Sequence, residues 1–253
     1  MSNVGTSHGD REEIHFVKNF NKGMFPDFCN EHFSDIRHVY AVHVRSNQFS
    51  KATQRKVKPK ADAFLVGTQE DLKQFLVTRD FYIEERDLSR IECEKLYGSG
   101  ITIKRPDSNS YQYHKFTVTS FVTTFKDRFL GAGATMYISS EDASKNPAIM
   151  NLWGTDESTF ASEFSARLGI STDNISQNYR VIQNWCLKKI KERILNEESL
   201  KDVIFCGREV FDSPYFVSYA YFHGQLSSNL YDDFYVSQGS GRQKNPTIVI
   251  KPR

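Results

Sequence analysis

Two stretches decide the fold: KVKPKADAFLVG (56–67) and GSGITIKRPDSNSYQYHKFTV (98–118). The first passes from a basic loop containing Pro59 into the apolar run 61–67, which closes at Gly67 and reads as a strand with Asp62 at its opening. The second reads as a strand over 101–105, a run of turn formers, PDSNS (106–110), and a hairpin partner over 111–118. Alternation along 101–104 puts Thr102 and Lys104 on one face and Ile101 and Ile103 on the other. An ammonium within an apolar strand is costly to bury unless an anion meets it. With the two strands as neighbours, Asp62 and Lys104 converge at one edge of a sheet, where a carboxylate and a phosphate would together satisfy the amine.

Upstream of this pair, residues 1–10 are expected to be a loose tail, and Ile14, Val17, Phe20 and Met24 give 11–24 the spacing of a helix. HVYAVHV (38–44) has the β-branched and aromatic content of a strand, whereas 69–77 carries no decisive period. ERDLSRIECEKLYG (85–98) predicts a helix stopped by Gly98. In the second half, 159–169 and 173–195 predict helices, the longer one capped by Asp173 or Ser176. Strands are expected at 202–206, 215–222, 233–237 and 247–251, and LGAGA (130–134) reads as a turn between helix and strand. No internal repeat or long linker divides the chain. The expectation is an α/β (mixed) fold: a central mixed β-sheet flanked by helices, in a single domain over 1–253.

Composition narrows the function classes. Twenty Phe and 12 Tyr among 253 residues favour a filled core over disorder. No apolar run approaches the roughly 18 residues of a membrane span, and MSNVGTSHGDREE lacks the apolar stretch of a signal peptide, so a cytoplasmic location is expected. Cys29, Cys93, Cys186 and Cys206 form no CxxC pair, and the histidines form no HExxH pair, which argues against structural zinc and disulfides. Net charge is only +2, but cations concentrate in 51–60, 187–193 and the tail from Gly241. Any one such run suits a solvated face; three in a near-neutral chain suggest a phosphate-binding surface.

Pro59-Lys60-Ala61-Asp62 followed by Thr102-Ile103-Lys104 resembles the PD-(D/E)xK nuclease superfamily, and in particular its type II restriction endonucleases. The wider context is similar: a helix before the motif, a hairpin after the lysine strand, and a Gly/Ser turn leading into a basic strand near the C-terminus. The resemblance implies a restriction-endonuclease-like core and Mg²⁺-dependent, sequence-specific hydrolysis of double-stranded DNA. A homodimer and a host DNA methyltransferase protecting the same site also belong to that pattern. It implies that Asp62 ligates Mg²⁺, with the Ile103 carbonyl as a second ligand, Thr102 holding a metal-bound water, and Lys104 orienting or helping to deprotonate the attacking water and offsetting charge on the phosphate. One position departs from the pattern: the family usually has Asp or Glu where Thr102 stands, which removes a carboxylate and weakens Mg²⁺ binding unless another acid is recruited. Candidates are Glu12, Glu13, Glu84 and Glu85, with Glu13 favoured.

Each assignment has a plainer counterpart. Asp62 also suits the end of a loop, Lys104-Arg105 the solvated end of a hairpin, Glu84 and Glu85 surface charges, and Glu12 and Glu13 a helix N-terminus. His43 is expected to be a satisfied or exposed single histidine. For DNA contact, Lys58, Lys60 and Arg105 border the motif. In GSGRQKN (239–245), Arg242 suits a guanine edge, Gln243 an adenine edge and Lys244 a phosphate. The competing functions are a structure-specific repair or recombination nuclease and a non-catalytic nucleic-acid-binding protein.

Overall fold

Helix α1 (Val4–Asn21) lays Phe16, Val17 and Phe20 onto a sheet whose inner residues are Ala41, Ala63, Leu65, Ile101 and Ile103. In the computed structural model, which describes residues 4–45, 59–108, 110–139, 141–207, 213–228, 230–231, 233–239 and 245–253, the chain forms two compact units. One comprises Met1–Tyr111 with Lys201–Asp232, the other Gln112–Leu200 with Asp233–Arg253. The helix begins within the stretch expected to be a tail. Met24, expected on its apolar face, lies past its end and is exposed.

The sheet of the first unit contains β1 (His38–His43), β2 (Ala63–Thr68), β3 (Glu94–Lys95), β4 (Gly100–Ile103), β6 (Val217–Phe222) and β7 (Gln225–Ser227), in the order β1-β2-β4-β6-β7 with β3 also on β2. It is mixed: β1, β3 and β4 run antiparallel to β2, β4 runs parallel to β6, and β7 turns back against β6. β2 is buried along its whole length, as a continuous apolar run requires of a strand covered on both faces. Its second edge is shared. β3 pairs with its far end, at Val66 and Gly67, and β4 meets its start, at Ala63 opposite Ile101. β4 then continues past the end of β2, and Asp62 stands at that point of departure.

The second unit holds an antiparallel sheet in the order β5 (His114–Thr117), β9 (Thr247–Pro252), β8 (Phe234–Gln238). Its helices include Val118–Phe125, Arg128–Ala134, Asn146–Leu152, Glu157–Leu168 and Tyr179–Asn196. Phe116, Phe121, Phe125, Trp153, Phe160 and Phe164 are buried there. Phe121 stacks on Phe125 at 4.3 Å and meets Trp153 edge-on.

The mixed α/β architecture is as expected, and several local readings are corrected. The hairpin partner of β4 is not 111–118: β5 pairs with β9, and β4 takes β6 as its neighbour. Segment 85–98 is a 3-10 turn (Glu85–Arg90) followed by β3, because its buried residue is Asp87 rather than the apolar Leu88. Asp87 pairs with Arg79 and shares a capping box with Glu84, and Gly98 takes a left-handed φ in the turn entering β4. Segment 202–206 forms a wide helical turn with Gly207 N–H donating to the Asp202 carbonyl; a short apolar run does not by itself distinguish a buried strand from a helical segment. LGAGA is helical: a Cβ at Gly131 would collide with Trp153, and one at Gly133 with Cys186, so these glycines serve close packing. The helix over Tyr179–Asn196 starts after a 3-10 turn with no side-chain cap, so neither Asp173 nor Ser176 caps it.

Candidate active site

Asp62 is fixed through its backbone from both sides. Its N–H donates to the Ile101 carbonyl at 2.9 Å, and its carbonyl accepts from Val44 N–H at 3.0 Å. Its carboxylate Oδ2 accepts from the Ile103 N–H at 2.7 Å and from the Thr102 hydroxyl at 3.2 Å. The carboxylate thus takes the place of a strand partner for Ile103, whose N–H would otherwise be an open donor beyond the end of β2. On the other edge of β4, Lys104 N–H donates to the Tyr221 carbonyl at 2.9 Å. Because the backbone groups of alternate residues point to alternate edges of a strand, the Ile103 carbonyl shares the Asp62 edge with its N–H.

The Lys104 cation and a second acid act on this carboxylate. Burial pushes the Asp62 carboxyl up from its ordinary value of 3.8 to about 6. The Lys104 ammonium opposes that rise, the Glu13 charge adds to it, and the Ile103 and Thr102 donors oppose it. Lys104 reaches past the end of β4, its Nζ 5.7 Å from the centre of the Tyr111 ring. Lys60 joins the group: burial depresses its amine, the Lys104 charge depresses it further, and Asp62 works the other way.

Glu13 comes from α1, three and four residues before the core residues Phe16 and Val17 and so on the same face of the helix. It lies in the body of α1, not at its N-terminus. Its Oε2 lies 2.9 Å from His43 Nε2, and His43 Nδ1 lies 2.6 Å from the Tyr82 hydroxyl. Arg45 in turn bonds the Tyr82 side chain.

Asp62, Thr102, Ile103 and Lys104 come together at one sheet end, with Lys60 and Glu13 close enough for their charges to act there. Thr102 directs its hydroxyl to Asp62, where the resemblance assigned it to a metal-bound water. Arg105 is exposed and bidentate to Asp107. Glu84 is buried and held by Arg45 and Arg86, so it is not the surface charge expected. Glu85 accepts from the Tyr215 hydroxyl, and the Glu12 charge bears on Tyr221. Lys58, Arg242, Gln243 and Lys244 lie outside the described residues. Sequence reasoning missed His43, Tyr82 and Arg45 as neighbours of the candidate acid. A signal existed: alternation along β1 puts His43 on the face of Ala41, a polar ring on the core side.

The donors at this end are oxygens: Asp62, Glu13 and the Ile103 carbonyl. Among the described residues no group of three or more His, Cys, Asp or Glu gathers as a metal cage. A hard divalent cation that keeps part of its water shell and takes one or two carboxylates, as Mg²⁺ does, fits such a sparse set. The raised Asp62 carboxyl beside a second acid fits it too, since a cation would offset both the burial and the like-charge repulsion. Comparison with protein-family models and with the curated proteins returns no match. Among the described residues no helix is long and apolar enough to cross a membrane.

Proposed function

We propose that this chain is a Mg²⁺-dependent endonuclease that hydrolyses phosphodiester bonds in double-stranded DNA, as a type II restriction enzyme does. The observation that carries this reading is the meeting of Asp62 with β4: one carboxylate oxygen bonds both Thr102 and Ile103, while the Lys104 ammonium acts on the same group from the next position along the strand. An acid and an amine held together at the open end of neighbouring strands suit a phosphate whose attacking water needs both orientation and charge compensation.

In this reading Asp62, Glu13 and the Ile103 carbonyl would hold Mg²⁺, which when bound would supply Lewis-acid polarisation of the phosphoryl oxygen and a more acidic water. Thr102 keeps the Asp62 carboxylate turned toward β4 and favours its ionised form by donating to it. Lys104 lies against the non-bridging oxygens and stabilises negative charge as the leaving oxygen departs. Lys60 borders the same backbone phosphate. Bonds from Asp62 to rigid strand backbone, rather than to a loop, supply the positional precision that in-line attack requires.

The test is incubation of purified protein with unmethylated phage DNA and Mg²⁺, followed by sequencing of fragment ends. Discrete bands with a common end sequence, lost with EDTA and lost in Asp62→Ala, support the proposal. Cutting confined to branched or damaged substrates would assign the same chemistry to repair. Full cutting by Asp62→Ala would remove the site from the reaction.

A further inference from the structure

Glu13 is held by a chain of bonds. The Glu13 carboxylate Oε2 and His43 Nε2 are bonded at 2.9 Å. The other ring nitrogen, Nδ1, is bonded to the Tyr82 hydroxyl at 2.6 Å, so both nitrogens of the imidazole are engaged. The Tyr82 oxygen accepts from Arg45. Arg45 is anchored in turn, its Nε 2.9 Å from Oε2 of the buried Glu84, which belongs to the capping box of the 85–90 turn. His43 is enclosed and lies on β1 opposite Ala63, the residue next to Asp62. The chain therefore links a carboxylate on a helix to the sheet end where Asp62 meets β4.

A packing role alone would be served by an apolar residue at position 43, as it is by Ala41 on the same face. A buried imidazole bonded at both nitrogens fixes the direction of whatever it bonds. We infer that His43, set by Tyr82, is a positioning residue that holds the Glu13 carboxylate toward the divalent cation shared with Asp62. This rests on the metal reading proposed above. Histidine and tyrosine supply no ligand of their own here; they orient one, as groups bonded to metal-binding carboxylates do.

Calorimetric titration with Mn²⁺ in the absence of DNA reads the inference without relying on cleavage. His43→Leu should weaken Mn²⁺ binding about 10–100-fold. Tyr82→Phe, which keeps the ring and deletes only the hydroxyl, should weaken it roughly threefold. His43→Gln should recover part of the loss, since its amide N–H reaches the position of Nε2. Asp62→Ala in the same titration separates the two failures. If Asp62→Ala loses binding while folded Tyr82→Phe and His43→Leu bind as the native protein does, His43 and Tyr82 serve packing alone and the inference is overturned. If Asp62→Ala binds Mn²⁺ undiminished, the metal reading itself fails and the inference falls with it.

Discussion

Two clusters of charge, one in each unit, respond to their surroundings in opposite ways. In the second unit Asp127 accepts from Arg167 at 2.9 Å and from the Leu130 N–H at 3.0 Å, and Arg167 also bonds Glu163. Arg193 grips Glu197 through two nitrogens and donates to the Phe125 carbonyl. Burial raises the Asp127 carboxyl, but the Arg167 and Leu130 bonds outweigh it, and the group ends below the ordinary carboxylate range. At Asp62 the balance reverses. Burial there outweighs two donors and a nearby ammonium, a second acid adds to the rise, and the carboxyl ends near 6. The Asp127 cluster is internally compensated and serves the fold. At Asp62 burial prevails over the charges and donors around it, and in the proposed reading a divalent cation would offset that burial.

The largest expected contrast is in activity. Asp62→Ala and Lys104→Ala should each reduce cleavage by at least about 10²-fold, the order seen on removal of one group that stabilises transition-state charge. Arg167→Ala, which breaks the compensated cluster, should leave the cleavage rate of the folded protein unchanged. A plasmid-nicking assay on the three variants breaks the comparison if Arg167→Ala lowers the rate as much as Lys104→Ala does.

Stability should show the converse. Arg167→Ala leaves partly buried Asp127 and Glu163 without their guanidinium and should cost about 2 kcal/mol in urea unfolding. Asp62→Asn in metal-free buffer should instead raise the melting temperature at neutral pH. The folded-state carboxyl, near 6, lies above its ordinary value of 3.8, so between those values the folded state binds more protons than the unfolded one. Stability is therefore lost as pH rises from about 4 to about 6 and stays reduced above that. The advantage of Asp62→Asn should be full above pH 6 and vanish below about pH 4, as read by thermal unfolding across that range. An advantage that grows toward acid would invert the account of Asp62.

The smallest effect expected is that of Thr102→Val, which removes one donor to Asp62 and should lower the cleavage rate by roughly tenfold or less. The pH above which the Asp62→Asn advantage is full should rise in the Thr102→Val background, while its onset near pH 4 stays where it is. No movement of that pH would mean that the 3.2 Å hydroxyl contact contributes nothing to the ionisation of Asp62.

What could be read from the residues was the local alternation and what it places on a shared face. Ile101 and Ile103 turn to α1 while Thr102 bonds Asp62, as period-two patterning requires. Neighbours were harder. The strand beside β4 is β6, which begins beyond residue 200, while the nearer candidate, β5, pairs with β9. Consecutive strands usually pair, and here that tendency yields to a chain that crosses into another unit between β4 and β5. Glu13 could be named from sequence as an acid on a helix, but not its partner. The contact with His43 joins α1 to β1, and no local period encodes an encounter between elements. The helix expected over 85–98 failed for a related reason: a buried ion pair, Asp87 with Arg79, outweighed the apolar spacing of Leu88, Ile91 and Leu96.

The most direct test of the account is a crystal of this protein soaked with Mn²⁺ and measured at the manganese absorption edge. An anomalous peak about 2.2 Å from an Asp62 carboxylate oxygen, with Glu13 or the Ile103 carbonyl as a further ligand, is the predicted result. A map with no peak at Asp62 at saturating Mn²⁺, or with the ion bound only to other residues, would contradict it.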